Sequence, residues 1–177
     1  MDLEDYIKNT LYKEQVSIIV DYIGNDKERF ANLMSLFFSN DNRLSQRSAW
    51  VMSHCVDKNT SLIKPYLKRL IKNLYKSKDD ATKRNTLRII QLVEIPEPLW
   101  GEVLEKCFEY LESNNEAIAI RVFAMTVAYN ISKNVPEIKP ELKALIEEII
   151  IYGSAGLRSR GNKILTKLEK ELNGLPQ

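Results

Sequence analysis

The stretch QRSAWVMSHCV at residues 46–56 reads as a helical segment with an arginine near its start, and it decides the fold because it returns. KRNTLRIIQLV begins 37 residues later, IRVFAMTVAYN 37 after that, and LRSRGNKILTK after 37 more. The arginine recurs at Arg47, Arg84, Arg121 and Arg158. A fixed period in the range of about 20–50 residues marks a repeat architecture, in which each unit buries its apolar face only by stacking on its neighbours.

Working outward, each period holds a second helical segment that comes before the arginine segment. These first helices read ERFANLMSLFFS (28–39), PYLKRLIKNLYK (65–76), EVLEKCFEYLES (102–113) and PELKALIEEIII (140–151). Leu33, Leu70 and Cys107 share one column, Met34, Ile71 and Phe108 the next, and Phe37, Leu74 and Leu111 follow at i+3. That spacing is one buried helical face. The turns SNDN (39–42), SKDD (77–80) and SNN (113–115) offer N-caps for the second helices. Pro65 and Pro98 stand near helix starts, where a missing N–H costs little, and Pro136 and Pro140 bracket the last connection. Gly174-Leu-Pro reads as a C-cap followed by a stop. Residues 2–9 and 13–23 fit no 37-residue column. With Leu3 and Ile7, and with Val16, Ile19, Val20 and Ile23 at amphipathic spacing, they read as an N-terminal cap.

These columns resemble the HEAT-like, armadillo-type helical repeats over about residues 26–172. The resemblance implies an all-α, right-handed α-α superhelix of four helix pairs. It predicts one domain over 1–177: a cap at 1–25 and repeats at about 26–62, 63–99, 100–136 and 137–173. In such repeats the recurrent arginine commonly pairs with an acid from the turn before its own helix, a place held here by Asp41, Asp79 or Asp80, and Glu116. The fourth repeat departs from this, because YGSAG before Arg158 offers no acid.

Two readings of the arginine column compete. The four guanidinium groups either line an inner wall and bind anionic groups, or tie turns to helix ends. Around Arg121 stand Ala117, Ala124, Met125 and Ala128, a small apolar stripe on which a solvent-facing row would not sit. The structural reading is preferred.

Charge is uneven along the chain. Residues 41–93 carry 12 basic and 4 acidic side chains, and residues 94–150 carry 5 basic and 11 acidic, although the whole chain is only +2. Lys64, Lys68, Lys72 and Lys76 form an i, i+4 ladder with Arg69 alongside. The repeat register sets Glu105 and Glu109 in the columns of Lys68 and Lys72, so stacking predicts that much of this field is cancelled, each exposed pair contributing ~0–1 kcal/mol. Lys83, Asn85, Arg88 and Gln91 on the second helix of repeat two face no acidic column, and they are the predicted partner-facing group. Trp100, between Pro98 and Gly101, reads equally as a contact residue or a packing anchor, whereas Trp50 shares its column with Leu87, Ala124 and Gly161 and reads as core.

Chemistry is thin. The one histidine, His54, has no convergent ligands, so no metal site is predicted, and His54 reads as a partly buried polar residue near the inner wall. No phosphate-binding glycine loop, nucleophile elbow or HExxH occurs. HEAT-like solenoids include DNA glycosylases for alkylated bases, but their catalytic carboxylate and tryptophans find no matching positions here. YGSAGLRSRG (152–161) shares only Gly153 and Ser154 with the signature loop of the adenylosuccinate lyase superfamily. The expectation is a non-catalytic interaction scaffold with a protein partner, no cofactor and no catalytic residue, nucleic-acid binding being the alternative. Membrane spans are not expected, since the longest apolar run, LIEEIIIYG (145–153), is broken by paired glutamates. The acidic start MDLEDYIKN and two cysteines in helical patterns, Cys55 and Cys107, point to a cytoplasmic protein with reduced thiols.

Overall fold

A computed structural model describes residues 2–9, 12–76 and 79–174. Ser77 and Lys78 of the second predicted turn, and Leu175 and Pro176 of the closing motif, lie outside them. The described residues form ten α-helices joined by short turns, with no strand among them. The chain divides into two compact units, residues 1–93 and 94–177.

The N-terminal unit holds α1 (Leu3–Asn9), α2 (Lys13–Ile23), α3 (Lys27–Phe37), α4 (Asn42–Lys58), α5 (Leu67–Lys76) and α6 (Asp80–Ile90). The predicted cap is the pair α1 and α2, which turns Ile7, Val16, Ile19, Val20 and Ile23 inward. Helix α2 stops at Gly24, whose φ of +49° favours a residue without a Cβ. Asp26 then starts α3 by accepting from the N–H groups of Glu28 and Arg29. At the centre lies α4, packed against α1, α2, α3 and α6, which explains why both its apolar residues and its small polar Ser45, Ser48 and Ser53 are buried.

The C-terminal unit is two helix pairs, α7 (Trp100–Glu112) with α8 (Ile118–Ser132) and α9 (Lys139–Tyr152) with α10 (Ala155–Leu172). Helix α10 lies against α8 as well as α9, as second helices of successive repeats do. The approach of α10 to α9 requires Gly161, where a Cβ would stand 2.4 Å from Ile150 Cγ2.

The predicted first-helix columns are the core. Leu33, Met34, Phe37, Leu70, Ile71, Leu74, Cys107 and Leu111 are all buried, while Phe108 is only partly so. Truncating one such leucine to alanine costs about 2–5 kcal/mol. Asp41 and Asp79 cap α4 and α6 through the N–H groups of Leu44 and Thr82. The third predicted turn differs, since α8 begins after Ala117 without a side-chain cap. Pro65, Pro98 and Pro136 occupy short 3-10 turns that lead into α5, α7 and α9, and Pro140 is the second residue of α9.

Candidate partner-binding face

Three of the four column arginines, Arg47, Arg121 and Arg158, bond to carbonyls at helix ends. Arg47 Nη1 donates to the carbonyl of Ile7 at 2.9 Å and also to that of Lys8, both in the last turn of α1. Arg121 Nη2 donates to Leu111 O at 2.8 Å, at the end of α7, and Arg158 Nη1 to Gly153 O at 2.7 Å, just past α9. The last carbonyls of a helix have no partner within it, and a cation there also meets the negative end of the helix dipole. The expected acid pairing is replaced at the first repeat: Asp41 caps α4 and Arg47 reaches the cap segment. Backbone hydrogen bonding, chiefly from Leu44, holds the Asp41 carboxyl below the usual carboxylate range.

Arg84 is half-buried on α6, one turn from Arg88. Burial, and then the neighbouring Arg84, lower the affinity of the Arg88 guanidinium for its proton, with Asp57 opposing. Helix α6 buries Leu87, Ile89 and Ile90 and leaves Lys83, Arg84 and Arg88 partly in solvent. From α4, which packs beside it, the charge of Asp57 favours the protonated Arg88. Trp50, His54 and Asp57 follow one another at i, i+4 and i+7 on α4, the Trp50 and His54 rings standing 6.4 Å apart. Two adjacent second helices of the N-terminal unit thus carry Lys83, Arg84 and Arg88 on α6 and Trp50, His54 and Asp57 on α4.

Several predicted residues sit elsewhere. Asn85 is 3% exposed and cannot face a partner, because α6 turns it inward beside Thr86. Gln91 is half-buried, with Nε2 donating back to Arg88 O at 3.2 Å. Trp100 belongs to the C-terminal unit and is anchored by its indole N–H, which donates to Ile95 O at 2.6 Å. His54 is exposed rather than partly buried, and Trp50 is half-buried rather than core. The i, i+4, i+7 spacing of Trp50, His54 and Asp57 is the sequence signal that could have set these three on one side of α4. Lys64, in the short turn before α5, and Lys68, Lys72 and Lys76 on α5 are exposed, and Arg69 lies 3.9 Å over the Phe38 ring.

Among the described residues no three metal-ligating side chains cluster, and no helix is long and apolar enough to cross a membrane. Burial pushes the Cys55 thiol up to about 12 and raises that of Cys107 further.

A family model described as the HEAT repeat domain matches residues 3–168, and the chain belongs to that family. The paired helices are accordingly an α-solenoid fold. No curated protein and no solved structure matches the chain. HEAT repeats commonly mediate protein interactions, and the family is typically non-catalytic.

Proposed function

We propose that this protein is a non-catalytic interaction module that binds an acidic segment of a protein partner on the α4–α6 face of its N-terminal unit. The observation that carries the reading is the placement of Arg84 and Arg88 one turn apart on α6, both only partly exposed, with the charge of Asp57 from α4 acting on Arg88. Like charges held together are destabilising for the isolated protein, and an acidic ligand relieves that cost. Trp50 and His54 on the neighbouring α4, their rings 6.4 Å apart, add flat aromatic surface of the kind that anchors interfaces.

A protein partner is favoured over nucleic acid because the cationic group is small, contains Asp57, and belongs to a chain of net charge only +2. The test is partner capture by the parent and by Lys83→Glu/Arg88→Glu, which spares the arginine column. Capture falls at least about ten-fold in the variant, equivalent to ~1.4 kcal/mol, while its circular dichroism melt stays that of the parent. Unchanged capture by the folded variant overturns the assignment.

A further inference from the structure

Helix α5 carries a basic ladder that the α4–α6 reading does not use. Residues 58–78 hold six lysines and Arg69 with no acid among them, the nearest carboxylates along the chain being Asp57 and Asp79. Elsewhere in the N-terminal unit lysines find carboxylates, as Lys8 does at Glu4 and Lys58 at Asp21. Among the described residues none of Lys64, Lys68, Lys72 and Lys76 makes an ion pair or a hydrogen bond. Like charges at i, i+4 spacing repel one another, and this row is held in place from the other side of the helix. There Leu67, Leu70, Ile71 and Leu74 are at most 2% exposed. The core thus fixes a row of unanswered ammonium groups, with a step of about 6 Å along the axis from Lys68 to Lys72 and again to Lys76.

The row calls for an anionic partner, and the residues around it narrow the kind. The exposed positions of α5 are Lys68, Arg69, Lys72, Tyr75 and Lys76. A protein interface is built on apolar or aromatic anchors and is poor in lysine, whereas the apolar side of α5 is spent in the core. A nucleic-acid strand is positioned by arginine forks and by hydroxyl and amide donors as well as by lysine. Here the one arginine lies over the Phe38 ring, and no serine, threonine, asparagine or glutamine is exposed on α5. A layer of anionic lipid headgroups asks only for dense positive charge close to its surface, which flexible lysines supply without a fixed geometry. Tyrosine is the side chain that settles at headgroup level, and Tyr75 is 44% exposed in the midst of the lysines.

We infer that α5 is a peripheral docking face for a bilayer that contains anionic lipid. The helix lies against the surface and does not cross it. Its apolar side stays in the core, so binding is electrostatic, reversible and salt-sensitive. The face uses a different helix from Lys83 and Arg88 and does not rest on the α4–α6 reading, so either can fail alone.

The experiment is co-sedimentation of the full chain with vesicles of phosphatidylcholine alone and with about 30% phosphatidylserine, in ~0.1 M salt. The anionic vesicles bind at least about a hundred-fold more strongly, and raising the salt to ~0.5 M removes that advantage. Each lysine contributes about five-fold, so Lys68→Gln/Lys72→Gln/Lys76→Gln loses about a hundred-fold. Its thermal melt stays that of the parent, because all three side chains are exposed. Removing three exposed charges elsewhere, in Lys13→Gln/Lys163→Gln/Lys170→Gln, changes binding by no more than about two-fold. Equal binding to neutral and anionic vesicles, no binding up to about 3 mM lipid, or undiminished binding by the folded ladder variant overturns the proposal. So does an RNA of about 20 nucleotides, or a polyglutamate peptide, that strips the protein from the vesicles at equal charge concentration, since α5 then belongs to that polyanion.

Discussion

Arg121 Nη2 donates to the Leu111 carbonyl across 2.8 Å, and both residues are withdrawn from water. One side chain thereby closes the end of α7 from the first turn of α8, so the two helices of a repeat are bound at the turn between them. Because Arg158 makes the equivalent bond to Gly153 in an exposed position, the column predicts a gradient. Arg121→Met destabilises the protein by about 1–3 kcal/mol, since it leaves a buried carbonyl unanswered, whereas Arg158→Met costs about 0.5 kcal/mol. Urea denaturation midpoints check this, and equal losses at the two positions would contradict it.

Glu171 joins three helices in the C-terminal unit. Its carboxylate accepts from Tyr129 Oη at 2.6 Å and lies 2.8 Å from Lys139 Nζ, with only 7% of the side chain exposed. Burial pushes the carboxyl up, but the bonds from Lys139 and Tyr129 together hold it below its ordinary 4.5. A folded-state value below the unfolded one contributes stability that is present above pH 4.5 and lost as pH falls through the folded value. Between about pH 5 and pH 3, the melting temperature of the parent therefore drops more steeply than that of Glu171→Gln. Parallel profiles would remove Glu171 from the acid response.

Two glycine-to-alanine changes should act in opposite directions. A Cβ at Gly161 meets Ile150 Cγ2 at 2.4 Å, where α9 and α10 pack, so Gly161→Ala overpacks the contact and costs about 1–3 kcal/mol. At Gly101, in the first turn of α7, a Cβ meets nothing within 4 Å, so Gly101→Ala stabilises by up to about 1 kcal/mol. Thermal melts of the two variants decide the signs.

Both thiols are closed to chemistry. Cys55, pushed up to about 12, and Cys107, raised further, stay protonated and sealed in the native state. A disulfide reagent at about pH 8 reacts with neither cysteine until denaturant is added, and with both thereafter. Prompt labelling of the native protein would show that one of the helices bearing them opens readily.

The repeat was legible because its signal is periodic. Apolar columns such as Leu33, Leu70 and Cys107 identify a buried face without knowledge of the neighbouring helix, and Asp41 and Asp79 announce the second helices through local capping. Residues whose environment depends on a distant element were harder to read. Asn85 looked exposed by its polarity, yet the packing of α4 on α6 turns it inward. Arg47 reaches the carbonyls of Ile7 and Lys8, about 40 positions away, which no spacing within its own repeat specifies. Asp57 acts on Arg88 only because α4 lies beside α6.

The central claim, that the N-terminal unit binds a protein through Arg84, Arg88 and their α4 neighbours, is tested most directly by recovering the tagged full chain from native cell lysate. Recovery is compared with and without nuclease and against Lys83→Glu/Arg88→Glu. The account predicts a discrete protein that survives nuclease and is lost in the folded double variant. Material that vanishes with nuclease, or a protein retained equally by the variant, would contradict it.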